Sequence, residues 1–134
     1  MPKNWTDVPM LPVSWGEVFD KWTILVIKQA RIGDPEKVRN VSRERAEIEQ
    51  VIGDRSRFPA RLEALTGDLH EINAQLWDIE DGKRRCEREQ SFGEEFVQLA
   101  RQVYMKNDER ARIKKEINLL LGSVIIEEKS YKPY

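Results

Sequence analysis

The stretch LEALTGDLHEINAQLWDI, residues 62–79, decides the fold class. Its apolar side chains follow one another at spacings of three and four residues: Leu62, Leu65, Leu69, Ile72, Leu76 and Ile79. This spacing places them along one face of an α-helix, in the a/d pattern of a coiled-coil seam. The sequence therefore predicts a long helix that opens at Pro59 and runs to about residue 89.

The chain beyond residue 89 predicts a second long helix, which returns along the first. The letters SFGE at residues 91–94 fit a capping box, in which a serine and a glutamate three residues later satisfy the first backbone N–H groups. Apolar residues then keep a helical period as far as Leu120, and Gly122 is a stop signal. The polar run KNDER at residues 106–110 interrupts the apolar stripe, but we expect the helix to continue through it.

The chain before residue 59 predicts two further helices. Ser14, with Glu17 three residues later, is a second capping box. The helix that follows has a broad apolar face and ends near Gly33. Asp34 and Pro35 then begin a helix to about residue 52 with few apolar positions, which is typical of a surface helix. The predicted fold is an all-α helical bundle built on a long antiparallel coiled-coil-like hairpin.

The chain divides into three predicted parts. Residues 1–13 contain three prolines and little periodicity, so we expect an extended N-terminal arm. Residues 14–122 form a single helical domain, since 134 residues suit one hydrophobic core. Residues 123–134 combine β-branched side chains, charges and a proline, which favours a short extended C-terminal tail docked on the bundle.

Charge, hydropathy and cysteine content exclude several classes of partner. Lys and Arg number 23 against 24 Asp and Glu, so the net charge is -1 and a nucleic-acid partner is disfavoured. No apolar run approaches the roughly 20 residues of a membrane span, and the N-terminus lacks the pattern of a signal peptide. Cys86 is the one cysteine, which fits a reducing compartment. We predict a cytoplasmic protein with no membrane association and no cofactor.

A layer of polar side chains is predicted between the two hairpin helices. Glu80 and Asp81 lie on the first helix, and Arg101 and Arg110 lie on the second. Asp81 and Arg101 are each about ten residues from the turn near residue 91, so they should come level. This layer has two interpretations: it fixes helix register or oligomeric state, or it lines a pocket for an anionic or sugar ligand.

Four carboxylates offer an alternative metal site. Asp78 and Asp81 are three residues apart and so share a helix face, and Glu44 and Glu47 form a comparable pair. Carboxylates from two helices can hold Mg²⁺ or Mn²⁺, and such a set resembles the metal site of the all-α nucleotide pyrophosphohydrolases. The simpler interpretation is that these acids pair with nearby arginines in water. We therefore expect no metal, with the four-carboxylate site as the alternative.

Three blocks of sequence carry a resemblance to a known family. PVSWGEVFDKWTILVIKQARI (12–32), INAQLWDIEDGKRRCE (72–87) and FVQLARQVYMKNDERARIKKEINLLLGSVIIEEKSY (96–131) resemble a bacterial and phage family of small domains of unknown function. Members are sometimes associated with glycosyltransferase or polysaccharide biosynthesis genes. The family pattern usually has an aliphatic residue in place of Gly82 and a smaller residue in place of Trp15.

The resemblance implies a candidate polar site but no catalytic residue. The polar positions that belong to the family pattern are Lys21, Lys28, Glu80, Asp81, Arg101, Tyr104, Asn107, Asp108, Arg110 and Lys114. The implied function is an accessory or interaction module, in the service of cell-surface polysaccharide biosynthesis. The alternative is a small all-α enzyme that acts on a nucleotide or sugar-phosphate, with or without a metal, and enzymatic activity is left open.

Self-association is also predicted. The apolar seam of residues 62–79 and the broad apolar face of the helix after Ser14 exceed what a thin surface helix covers. Large exposed apolar patches are uncommon on monomers. We therefore expect a homo-oligomer, and a different protein partner is the second interpretation of the same surface.

Overall fold

The computed structural model describes residues 4–134, and the elements in this range are helical. The helices are α1 (Trp15–Arg31), α2 (Pro35–Ile52), α3 (Arg61–Glu89) and α4 (Glu94–Leu121), with a 3-10 turn at Arg55–Arg57 between α2 and α3. No strand is present in residues 4–134. The prediction of an all-α helical bundle is confirmed. Residues 1–3 of the predicted arm lie outside the described residues.

The helix ends follow local signals in the sequence. The Ser14 hydroxyl accepts a hydrogen bond from the Glu17 N–H at 3.1 Å and begins α1. Asp34 accepts from the Glu36 N–H at 3.1 Å, with Pro35 in the first turn of α2. Gly122, at a φ of 62°, is left-handed and ends α4. Helix α4 is continuous through residues 107 and 108, as predicted.

The predicted capping box at residues 91–94 is wrong. Helix α4 begins at Glu94 with Gly93 as its cap residue, and no side chain caps its first N–H groups. The Ser91 N–H instead donates to the Cys86 carbonyl at 2.9 Å, and Gln90 is left-handed with a φ of 54°. Ser91 therefore belongs to the closing turn of α3 and is not placed to cap α4.

Helix α1 lies at the centre of the bundle and packs against α2, α3 and α4. Phe19 of α1 is fully buried, and its ring lies beside those of Trp15 and Phe58, with centroids 6.1 and 5.7 Å away. Helix α2 contributes the buried residues Val41 and Ile52, so it is the thin outer helix that the sequence predicts.

The apolar seam of α3 is buried inside one copy of the chain. Leu62, Leu65, Leu69, Ile72 and Ile79 are all buried, and most of them belong to one core cluster with residues of α1 and α4. The argument that this seam requires a second copy is therefore wrong, because α1 packs against it. Self-association itself stays a prediction.

A glycine lets α1 approach α4 closely. The Gly16 N–H donates to the Asn118 side-chain oxygen at 2.6 Å. A Cβ at position 16 would lie 2.5 Å from the Lys114 carbonyl oxygen, closer than atoms can pack. This contact brings the Lys114 turn of α4 against the first turns of α1.

None of the helices in residues 4–134 combines the length and the apolar character needed to cross a membrane.

Candidate functional site

A buried carboxylate lies between α1 and α3. The side chain of Asp20 on α1 is 5% exposed, and its Oδ1 accepts a hydrogen bond from the Asn73 amide at 2.9 Å. The same amide donates to the Thr23 hydroxyl oxygen at 2.9 Å, and that hydroxyl donates to the Asp20 carbonyl at 2.8 Å. The buried charge is thus held by a polar network that joins the two helices.

Two cations from α4 face this carboxylate. Arg110 Nε lies 3.9 Å from Asp20 Oδ1, and Lys114 Nζ lies 3.8 Å from Oδ2. Both separations exceed a hydrogen bond, so the attraction is electrostatic. Lys114 also donates to Glu17 at 2.7 Å. The burial of Asp20 keeps solvent screening of these charges low.

Electrostatic attraction to Asp20 is the interaction that holds the Arg110 side chain. Among residues 4–134 its guanidinium makes no hydrogen bond, and its one ion pair is the 3.9 Å approach to Asp20. A guanidinium carries five N–H donors in a planar fork. These donors are free for a ligand, while the buried carboxylate holds the group in place.

The C-terminal tail, residues 123–134, lies along α4. At its start, the Trp15 N–H donates to the Ser123 hydroxyl at 3.2 Å, and the Ser14 hydroxyl donates to Glu127 at 2.6 Å. Further on, Lys129 donates to Asp108 at 2.6 Å. These contacts attach the tail both to the start of α1 and to the middle of α4.

The last tail residue docks on the same part of α4. The Tyr134 ring meets the Tyr104 ring edge to face, with centroids 5.1 Å apart. Hydrogen bonds from Lys129 and then Tyr134 hold the pKa of Asp108 below its ordinary value. The bond to Asp108 raises the pKa of the Tyr134 phenol. Docking therefore favours an ionised carboxylate beside a neutral phenol.

Two adjoining cavities lie between α4 and the tail. Their volumes are about 400 and 560 Å³, and they share Asn107, Lys129 and Tyr131. We call them together the α4–tail cleft. The first cavity is cationic, because it carries two carboxylates and four cationic side chains. The second holds three tyrosine rings beside Asp108, Lys129 and Lys132. The charged and aromatic lining residues are Arg110, Lys114, Lys115, Lys129, Lys132, Glu127, Glu128, Asp108, Tyr104, Tyr131 and Tyr134.

Half of the candidate polar site predicted from the sequence meets in this cleft. Those five residues are Tyr104, Asn107, Asp108, Arg110 and Lys114. Glu80 and Asp81 line a separate groove between α1 and α3, which Arg110 also borders. Arg110 lines both the cleft and this groove, so it is the one predicted residue that the two places share.

The remaining predicted residues lie elsewhere. Lys21 pairs with Glu44 at 3.3 Å on the surface of α1 and α2. Lys28 lies in the last turn of α1 and lines neither the cleft nor the groove. Arg101 is exposed on α4, outside both.

The predicted pairing of Asp81 with Arg101 is wrong. Both side chains are exposed, and no ion pair or hydrogen bond joins them in the described part of the chain. The helices meet one residue further along, since a Cβ on Gly82 would lie 3.1 Å from a methyl carbon of Leu99. One residue is about 100° of helix rotation, which moves Asp81 out of line with Arg101 and into the groove that Arg110 borders. A buried polar network does occur, but it joins α1 to α3 and its carboxylate is Asp20.

The alternative metal site is not assembled. Within residues 4–134, no three His, Cys, Asp or Glu side chains are grouped so that they could hold a metal ion. Asp78 pairs with Arg31 at 2.6 Å, and Glu44 pairs with Lys21. The four carboxylates Glu44, Glu47, Asp78 and Asp81 therefore do not form one group.

Sequence reasoning missed the centre of the site. Thr23 and Asn73 lie four residues after Phe19 and Leu69, on apolar helix faces, and Asp20 lies three residues before Thr23. Polar residues in such positions are buried and need partners, which is the signal that identifies them. The tail residues carry no comparable signal, because their contacts depend on where the tail docks.

Comparison with known proteins adds no relative. No model of a protein family matches the chain, and neither a curated protein nor a solved structure matches it. The geometry of the site is therefore the basis for a functional assignment.

Proposed function

We propose that the chain is a non-enzymatic binding module that holds a small anionic ligand in the α4–tail cleft. The observation that carries the proposal is Arg110, whose guanidinium lies over the buried Asp20 and gives none of its donors to residues 4–134. A planar fork of this kind matches a phosphate or a carboxylate in two-point geometry.

The surroundings of Arg110 support the binding of an anion. Lys114, Lys115 and Lys129 line the same cavity, so a ligand anion would meet several positive groups. Glu127 and Glu128 offset part of this charge, which leaves a local excess of cations on a chain of net charge -1. The buried charge of Asp20 attracts Arg110 to this position before a ligand arrives, and a preorganised group loses less entropy on binding.

The wider role rests on the sequence. The family resemblance supports an accessory role in cell-surface polysaccharide synthesis, and the lone Cys86 supports a cytoplasmic location. The heptad spacing of α3 supports a coiled-coil-like hairpin with α4. Self-association and a protein partner belong to the same proposal.

Titration with inorganic phosphate, followed by the amide chemical shifts of α4 and the tail, tests this function. We expect saturable shifts that centre on Arg110. Arg110→Gln should weaken binding at least tenfold, because the charge and the planar fork are both lost. Arg110→Lys keeps the charge over Asp20 and so protects the fold, and it should still weaken binding because the fork is lost.

The control is Arg101→Gln, which removes an exposed arginine of the same helix outside the cleft. It should bind phosphate like the parent chain. Equal binding by the parent and Arg110→Gln, or shifts that centre outside the cleft, would refute the proposal.

A further inference from the structure

We infer that the ligand is a phosphorylated sugar, with its phosphate at Arg110 and its sugar ring against Tyr131 and Tyr134. The inference rests on the proposed function, because it assigns the second half of the cleft to the same ligand. It is carried by the contrast between the two adjoining cavities, since four cations surround the first and three tyrosine rings line the second.

The two halves of the cleft adjoin. Asn107, Lys129 and Tyr131 line both cavities, so a single ligand can contact both. A free phosphate would occupy only the first cavity. A ligand that fills both is larger than phosphate, and the tyrosine rings of the second cavity favour an uncharged ring beside the anionic group.

The second cavity offers open aromatic surface. Tyr134 touches Tyr104 edge to face and is still 80% exposed, and Tyr131 is 84% exposed. Tyr combines an apolar ring with a polar tip. One face of a sugar ring presents C–H groups, which bury apolar area against such a ring while the hydroxyls stay outside.

The polar lining suits hydroxyl groups. Asn107 supplies amide donors and an acceptor, and Glu127 and Glu128 supply acceptors. A sugar hydroxyl donates one hydrogen bond and accepts others, so it can use both kinds of partner. These three side chains line the cationic cavity, and Asn107 also lines the second one.

The openness of the cleft favours a sugar over a nucleotide base. A flat base gains most when both faces are removed from water between apolar or aromatic side chains. Tyr131 and Tyr134 are too exposed to enclose a base in this way. A sugar loses less in an open cleft, because hydroxyls that face solvent keep their hydrogen bonds to water.

Competition between simple probes tests the inference. The probes are inorganic phosphate, glucose, uridine monophosphate and three sugar phosphates: glucose 1-phosphate, galactose 1-phosphate and N-acetylglucosamine 1-phosphate. We expect at least one sugar phosphate to bind ten or more times as tightly as phosphate. Glucose should bind more weakly than that sugar phosphate, because it lacks the anionic group.

The variant Tyr131→Ala with Tyr134→Ala should lower the affinity for that sugar phosphate to the level of phosphate. Its affinity for phosphate itself should fall much less than its affinity for the sugar phosphate, since Arg110 is intact. Phe92→Ala, an exposed aromatic at the connection of α3 and α4, is the matched control and should bind like the parent chain.

The outcomes separate the two proposals. If phosphate binds through Arg110 but no sugar phosphate binds more tightly, the sugar assignment is overturned and the anion site stands. If uridine monophosphate binds more tightly than every sugar phosphate, the ligand class is a nucleotide and the inference is wrong. If phosphate binding does not depend on Arg110, the proposed function fails first.

Discussion

At the scale of single residues, Gly16 sets the distance between α1 and α4. A Cβ there would lie 2.5 Å from the Lys114 carbonyl oxygen and 2.9 Å from the Asn118 side-chain oxygen. The backbone carbonyl cannot move without shifting the helix. We therefore expect Gly16→Ala to lower the free energy of unfolding by about 1–3 kcal/mol, as overpacking typically does. Denaturation in urea measures this change.

Gly67→Ala is the matched control for this prediction. Gly67 also lies in a helix, but a Cβ there meets nothing within 4 Å. Alanine should raise the stability by about 1 kcal/mol at this position, because it is the better helix former. If both variants shifted the midpoint in the same direction, the contact of α1 with α4 would not be close enough to exclude a methyl group.

Asn73 is the residue whose amide satisfies the buried carboxylate. Asn73→Leu has a similar volume but leaves Asp20 and Thr23 without its two hydrogen bonds. An unsatisfied buried group typically costs about 1–3 kcal/mol, so we expect the melting temperature to fall. Asp81→Ala and Arg101→Ala should melt like the parent chain, because both side chains are exposed. Thermal denaturation followed by circular dichroism compares the three variants, and lower melting temperatures for both Asp81→Ala and Arg101→Ala would restore the pairing predicted from the sequence.

At the scale of elements, the tail depends on two titrating groups. The pKa of Asp108 is lowered by the docked tail, so its contribution to docking is present above about pH 4 and is lost as the pH falls through the lowered value. The pKa of Tyr134 is raised, so its contribution is present below about pH 10 and is lost as the pH rises through the raised value. We expect the tail to dock best between these limits.

Amide hydrogen exchange and the ring shifts of Tyr104 and Tyr134 report the docking across this range. Asp108→Asn should remove the acid-side change, and Tyr134→Phe should remove the alkaline one while keeping the ring contact. A tail whose signals stay unchanged as the pH is taken well below about 4 and well above about 10 in the parent chain would contradict the hydrogen bonds of Asp108.

The helix elements also show where sequence signals compete. Ser14 and Ser91 both stand three residues before a glutamate, yet one begins a helix and the other closes the previous one. Gln90 takes the left-handed turn of α3, and the Ser91 N–H then bonds back to the Cys86 carbonyl. A serine directly after a long helix can thus take part in the C-terminal turn of that helix instead of capping the next one.

At the scale of the whole molecule, α1 takes the place that a second copy would otherwise fill. It covers the seam of α3 within one chain, so any self-association must use other surfaces. Exposed apolar side chains remain on the arm and the tail, among them Leu11 and Val124. Sedimentation equilibrium measures whether copies of the chain associate. A monomer at tens of micromolar would be evidence against the predicted oligomer.

The sequence by itself determined the number of helices, most of their ends and the thin character of α2. These features depend on neighbours within four residues: apolar spacing, caps at Ser14 and Asp34, and the stop at Gly122. Local chemistry is enough for such features, because the backbone hydrogen bonds of a helix close within one turn. The resemblance to a family pattern, and not local spacing, marked five of the residues that line the cleft.

Only the tertiary structure decided which polar side chains meet. Asp20 and Arg110 are distant in the chain, and their contact depends on how α1 and α4 are rotated about their axes. That rotation follows from the close approach of Gly16 to α4, and the rotation of α3 against α4 follows from Gly82 and Leu99. An error of one residue turns a helix by about 100°, which is enough to exchange a buried partner for an exposed one. The count of residues along the hairpin therefore predicted that Asp81 pairs with Arg101, whereas helix packing places Asp20 beside Arg110.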